Sequence, residues 1–398
     1  MTRIATSTTY TKSVSYLQKN NVRLDRVSDQ YNTGLKFRTA GDAPADYAAT
    51  LRLEKDITMY EQYNTNSGYA VDALNLEETA LTSLNERLDR AQVLITSGIN
   101  ASYSQDEFES VAAELSEIQE YILGLMNTQT TEGEYIFSGS LGRTQSFVNV
   151  SGSYVYQGDS GQRQLNASSS VAIPVSDPGF IFQVDTARDI STTNGNVHVG
   201  YDNYSSMLQF CEDMDRSFGG SAHTLTFTRD PSNENLYTVT DPLTGSNVSV
   251  MCKKGVMDYR GVSIVPNGEA SFDVTFSAPQ PQDNVLNSFT AAINAFNDST
   301  LSEFDRNVVL NRVTTHITNT QNSINKTLGR IGARQNTLDT VINSNQEIED
   351  VKKEAKATIS EVDLYETTSE LAKTNSILQM SMKSFNYMTG TSLFDYIS

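Results

Sequence analysis

The sequence predicts an α+β protein in which long N- and C-terminal helices pair as a coiled coil or helical bundle, accompanied by a β-hairpin region and an inserted antiparallel β-rich domain. Three observations carry this reading. Apolar residues recur at seven-residue spacing at both ends of the chain, the period changes to alternation after Thr131, and seven of the eight prolines lie between Pro174 and Pro281. Seven-residue spacing keeps side chains on one side of a helix, alternation marks a half-buried strand, and proline is excluded from helix interiors.

At the C-terminal end, Leu364, Leu371, Leu378 and Phe385 fall on every seventh position, with Asn375 and Met382 between them. Upstream, Val341, Ile348, Ala355 and Val362 continue the spacing beside Ile359, and neither proline nor glycine occurs from Ala333 to Thr389. One uninterrupted helix is expected after Gly332. A helix of this length cannot bury its apolar stripe alone. The matching stripe is N-terminal, where Val14, Leu17, Asn21, Leu24, Ser28, Tyr31 and Leu35 step by three and four. The Ser/Thr-rich stretch from Thr6 to Thr11 reads as a loose helix start or an unstructured lead. Asn21, Ser28, Asn345 and Asn375 make these seams polar, so the first ~35 and last ~40 residues are expected to order only against neighbouring molecules.

Gly34 and the segment TAGDAP (39–44) break the first helix, with Asp42 as a candidate N-cap and Pro44 in the first turn of a second helix. That helix carries Leu51, Ile57 and Tyr69, then Leu74, Leu81, Leu88 and Ile95 at sevens, and is expected to end at Gly98. Phe108, Val111, Leu115, Ile118, Ile122 and Leu125 define a third. Short strands are expected at EYIFS (134–138), YVYQ (154–157) and 171–175, and longer ones at TLTFTRD, NLYTVTD, NVSVMCK and SFDVTFS. Helix resumes near Asp283. The expected divisions are an N-terminal coiled-coil arm (1–42), a helical rod with β-hairpins (43–188), a β-rich outer domain (189–282), return helices (283–355) and a C-terminal coiled-coil arm (356–398).

The formal charge of −19 is unevenly spread. Residues 1–40 hold seven basic and two acidic residues, a net of +5, which leaves −24 for the remainder. So acidic a body disfavours nucleic acid as a partner, because phosphate contacts need a basic surface. No apolar run approaches a membrane span, and the opening MTRIATSTTYTKSV lacks the apolar core of a cleavable signal peptide, so neither membrane insertion nor general secretion is expected. Cys211 and Cys252 read as free thiols.

Catalytic chemistry finds no support in the pattern. His198, His223 and His316 have no metal-ligand spacing around them, and the chain contains no GxSxG, GxxxxGK[ST] or GxGxxG. Carboxylate pairs such as Asp42/Asp46 and Glu77/Glu78 are accounted for by helix caps and solvated helix faces. The expectation is a non-enzyme with no cofactor and no metal.

Particular motifs then narrow the class. The segment Gly34 to Leu53 (GLKFRTAGDAPADYAATLRL) is similar to the N-terminal signature of the flagellin superfamily, and the ending Ser392 to Ile397 (SLFDYI) resembles that of the flagellar hook-filament junction family, the third hook-associated proteins. YIFSG (135–139) and YQGD (156–159) agree with it. The resemblance covers roughly residues 1–180 and 283–398 and leaves the middle untouched. It implies a structural ring of subunits, monomeric before assembly, lying between the first hook-associated protein and flagellin. It also implies export through the flagellar type III apparatus to an extracellular position on the flagellum, with a cytoplasmic export chaperone at the C-terminal helix. The residues expected at the assembly interface are Val14, Leu17, Leu24, Tyr31, Leu35, Leu364, Leu371, Leu378, Met382, Phe385, Leu393 and Phe394. Gly34, Asp42 and Pro44 form the expected turn motif. A filament-forming flagellin is the nearest rival, and a secreted coiled-coil scaffold or adhesin a more distant one.

Overall fold

A computed structural model of the chain describes residues 2–100, 103–201 and 203–394, with side chains placed at 8–100, 103–201 and 203–388. The helices are α1 (Thr2–Thr33), α2 (Pro44–Asn100), α3 (Gln105–Met126), α4 (Tyr204–Phe218), α5 (Val285–Asn297), α6 (Glu303–Ser360) and α7 (Leu364–Phe394). The chain divides into two compact units. One is built from Met1–Asn66, Ala167–Ser169 and Thr340–Ser398, the other from Ser67–Asn166 and Ser170–Asp339.

In the first unit, the start of α2 and the end of α6 run antiparallel. Asp56 bonds Lys352 at 2.6 Å, Glu54 pairs with Lys356 at 3.5 Å, and Asn64 donates to Glu349 at 3.2 Å. The apolar core here is thin, consisting among the described residues of Val27, Phe37, Ile57, Ala167 and Leu378. The polar Asn345 is buried but satisfied, donating to the Ala167 carbonyl at 2.8 Å.

The second unit has an ordinary core. The spacing read at Leu74, Leu81, Leu88 and Ile95 is fully buried, facing α3 and α5 residues such as Leu115, Ile122, Phe289 and Phe296, with Val313, Ile317, Ile324 and Ile331 from α6. Four short strands follow α3, namely β1 (Phe147–Val150), β2 (Ser153–Tyr156), β3 (Gln164–Asn166) and β4 (Ala172–Pro174), paired as two hairpins. A neck comes next, where β5 (Gln183–Val184) will meet its partner on the chain's return. Beyond it lie β6 (Ile190–Thr192), β7 (His198–Tyr201), β8 (His223–Asp230), β9 (Asn233–Thr240), β10 (Asn247–Met251), β11 (Met257–Tyr259), β12 (Val262–Val265) and β13 (Ser271–Phe276). The returning strand β14 (Asp283–Asn284) pairs antiparallel with β5. One sheet has the order β10-β9-β8-β13-β6 and another β11-β12-β7. Met207, Phe210, Cys211 and Met214 of α4 pack into the core that the two sheets share.

Several local expectations are corrected. The single helix expected after Gly332 is two, because α6 runs straight through Gly329 and Gly332 and stops at Ser360. Those glycines lower helix propensity by about 1 kcal/mol each, which the flanking burial of Ile331 and Leu338 overrides. Helix α7 restarts at Asp363, whose Oδ1 accepts the N–H groups of Tyr365 and Glu366 at 2.8 and 3.3 Å. The Thr6–Thr11 stretch is helical rather than loose, since α1 has α7 to pack on.

Helix α2 passes Gly98 and ends at Asn100. A Cβ on Gly98 would lie 2.5 Å from the Phe296 ring, so this glycine gives clearance instead of marking a stop. EYIFS is not a strand. Tyr135 donates to Gly142 and Ile136 to Thr128, so its backbone groups go to separate partners in a turn. Glu77 is not on a solvated face, since it is fully buried. Helix α4 lies outside the sequence expectations, although Tyr204, Met207, Phe210, Cys211 and Met214 carry helical spacing behind an Asn203 cap.

Candidate assembly surface

The two terminal helices pair. Tyr10 lies against Phe385 with ring centroids 5.4 Å apart, Asn20 Nδ2 donates to Ser381 Oγ at 3.0 Å, and Arg23 is ion-paired with Glu370. On α7 the buried and half-buried residues include Thr367, Leu371, Thr374, Leu378, Ser381 and Phe385, a regular four-three alternation, with Glu370 half-buried beside Leu371. On α1 they include Val14, Leu17, Asn20, Leu24 and Val27. Sequence spacing therefore placed the anchor positions Val14, Leu17, Leu24, Leu371, Leu378 and Phe385 at the seam. It erred by one residue at the positions between them. Asn21, Asn375 and Met382 face outward, and Asn20, Thr374 and Ser381 take their places. Tyr31, Leu35 and Leu364 are also exposed. Leu393 and Phe394 end α7, where their side chains lie outside the described residues, as does most of the SLFDYI segment.

This seam is polar to a degree that limits its strength. The Thr374 hydroxyl is buried without a hydrogen-bond partner, and Thr367 is buried beside it. An unsatisfied buried hydroxyl costs roughly 1–3 kcal/mol. Meanwhile large side chains on α7 stay open to solvent, with Tyr365 87%, Met380 70% and Tyr387 77% exposed. One partner helix covers only a narrow stripe of such a helix.

Where both strands of the chain leave this pair, they are clipped together. Leu35 bridges Glu361, Lys36 N–H donates to the Ser360 carbonyl at 2.7 Å, and Val362 N–H donates to the Gly34 carbonyl at 2.9 Å. The Lys36 ammonium adds a bond to the Thr358 carbonyl at 2.6 Å. Gly34 has φ +72°, the left-handed region that stops α1 and that a side chain would oppose. Asp42 does not cap α2. Its Oδ2 accepts the N–H groups of Thr39 and Arg38 at 3.0 and 3.2 Å, tightening the turn before Pro44 and holding the carboxyl below its ordinary range. Pro44 is the first residue of α2, as read.

Residues 4–141 match the sequence profile described as the bacterial flagellin N-terminal helical region. This stretch is similar to the N-terminal helical region of flagellins. That region takes in α1, the clip residues Gly34, Leu35 and Lys36, the turn, α2 and α3. Over 171 residues, 43% of its length, the chain is 26% identical to flagellar hook-associated protein 3 of Escherichia coli. The matched part is 54% of that relative, so the chain spans about half the length of the curated protein it matches. A flagellin of Listeria monocytogenes is 25% identical over 107 residues, covering 27% of this chain and 37% of the flagellin.

The crystal structure of flagellar hook-associated protein 3 from Legionella pneumophila superposes with a TM-score of 0.61 at 23% identity. It covers 77% of this chain and 98% of that one, a likeness that establishes a shared fold. Among the described residues there is no group of three or more metal-ligating side chains, and no helix is long and apolar enough to cross a membrane.

Proposed function

We propose that this protein is a structural, non-enzymatic adaptor of the bacterial flagellum that joins the hook to the filament. The observation that carries the proposal is the pairing of α1, which lies in the stretch similar to the flagellin N-terminal region, with α7, across a polar seam while Tyr365, Met380 and Tyr387 remain exposed. Lateral packing of such pairs from several subunits into a ring would bury those side chains and supply the stability that the seam lacks. The interface we assign comprises Val14, Leu17, Leu24, Tyr31, Leu35, Leu364, Leu371, Leu378, Met382, Phe385, Leu393 and Phe394. The match to flagellar hook-associated protein 3, longer than the match to flagellin, supports the junction over the filament.

On this reading the neighbours are the first hook-associated protein on the hook side and flagellin on the other. The subunit is monomeric before assembly and reaches the cell exterior through the flagellar type III apparatus, with an export chaperone on residues 364–393. Residues 1–42 and 356–398 act as arms, 43–188 and 283–355 as rod, and 189–282 as an acidic outer domain. Deleting the gene in its host tests this. Hooks without filaments, and flagellin shed into the medium, are expected. Normal filaments on hooks would leave a minor flagellin as the better account.

A further inference from the structure

The neck where β5 and β14 pair carries a cleft of about 280 Å³. Clefts at such junctions are the usual place for small ligands. Its polar lining is unbalanced in a specific way. Arg312 of α6 and Asp189, just before β6, both line it, yet no ion pair joins them, and neither side chain has a hydrogen-bond partner among the described residues. Asp283 also lines it. Only its Oδ1 is engaged, accepting from Asn284 N–H at 2.8 Å and from Asn287 Nδ2 at 2.6 Å.

The same wall holds a chain of hydrogen bonds. Ser288 Oγ lies 2.7 Å from His316 Nδ1, and His316 Nε2 lies 3.0 Å from the Tyr204 hydroxyl, which also accepts the Ala187 N–H at 2.9 Å. Burial first, and Arg312 second, pull the His316 pKa down to about 3, so the ring is neutral and carries one N–H. Tyr204, His316 and Ser288 thus own three polar hydrogens but share only two bonds. Whichever tautomer is present, one hydroxyl hydrogen is left over, on Ser288 or on Tyr204, and both residues line the cleft.

The cleft therefore offers a guanidinium and a spare hydroxyl donor from the helices, and two carboxylates from the strands entering and leaving the outer domain. We propose that it binds a small zwitterion of the α-amino acid class, with the carboxylate on Arg312 and the spare hydroxyl and the ammonium on Asp189 and Asp283. Guanidinium matches carboxylate geometry in a bidentate manner, and the two opposite charges held apart select a ligand that carries both. A ligand seated there would tie α5 and α6 to the neck.

The test is calorimetric titration of the full chain with each of the twenty amino acids, using propionate and propylamine as half-ligands. At least one amino acid is expected to bind saturably with Kd below about 1 mM, and each half-ligand at least about tenfold more weakly. R312Q should lower amino-acid affinity at least about tenfold and D189N by a similar factor, with the far-ultraviolet spectrum unchanged. If R312Q does not fold, R312K should retain binding with an intermediate loss. Absence of saturable binding up to about 10 mM, equal affinity for half-ligands and amino acids, or full affinity in the folded variants would overturn the proposal. Each of these readouts is independent of whether the protein sits at the hook-filament junction.

Discussion

The main-chain N–H of Asp177 donates to Glu77 Oε1 at 3.1 Å, drawing the loop after β4 onto the middle of α2. Asp177 is itself held by Arg334 at 2.9 and 3.2 Å and by Gln162 at 2.6 Å, with Arg330 at 3.7 Å. The neighbouring carboxyls share a buried site, and the second oxygen of Glu77 has no partner. Burial, followed by the Asp177 charge, pushes the Glu77 pKa up to about 8.

Stability should therefore fall as pH rises. Below the ordinary value of 4.5 Glu77 is protonated in both states, and its contribution is fully present. Between there and about 8 the unfolded chain releases the proton while the folded chain retains it, and above that the loss is complete. E77Q stays neutral and keeps an acceptor for Asp177 N–H. It should flatten the profile and exceed the parent by roughly 3–5 kcal/mol above pH 8. Urea unfolding of both proteins from pH 5 to 9 measures this, and parallel curves would rule Glu77 out.

Removing the other carboxyl has the opposite effect. D177A removes both hydrogen bonds that Arg334 makes to this carboxylate in a mostly buried site and leaves Gln162 without its acceptor. A cost of about 3–5 kcal/mol is expected. R334M should cost less than R334A, because an apolar residue of similar volume fills the space. Equal losses in the two variants would point to charge alone.

Glycines in helices separate by what surrounds them. G98A places a methyl 2.5 Å from the Phe296 ring and should destabilise by about 1–3 kcal/mol. G332A meets open space inside α6 and should stabilise by about 0.5–1 kcal/mol. Thermal unfolding of both variants decides the matter, with opposite shifts in midpoint expected.

The paired arms should exchange amide hydrogens rapidly in dilute protein, since a polar two-helix seam is marginal. T374V removes the unpartnered hydroxyl at little change in shape and should strengthen the pair by about 1 kcal/mol. Exchange measured on α1 and α7 should slow several-fold. Strong protection of both helices in the parent protein would contradict the expectation.

Residues Leu371, Leu378 and Phe385 identified a seam because seven-residue spacing is visible without coordinates. Its intermediate positions were not visible. A 3.6-residue turn leaves the steps of three and four nearly equivalent, and the apolar Met382 drew the reading to the wrong flank while Ser381 took the position. The break at Glu361–Asp363 did leave a trace, since Asp363 followed three residues later by Glu366 is a capping signature. Nothing around Glu77 announced burial. It sits in a helix beside Glu78, and its partners Asp177 and Arg334 are 100 and 257 positions away.

By itself the sequence determined the alternation of long helical stretches with a β-rich middle, the pairing of its two ends and the likeness of its first part to the flagellin N-terminal region, because each depends on local periodicity, turn chemistry or short motifs. Only the tertiary structure decided which flank of each arm faces its partner, why Gly98 must be glycine, where Glu77 is buried and how Arg312, Asp189 and the Ser288–His316–Tyr204 chain converge at the neck. Those features arise from packing between residues distant in the chain, and one sequence carries no local signal of which distant residues will meet.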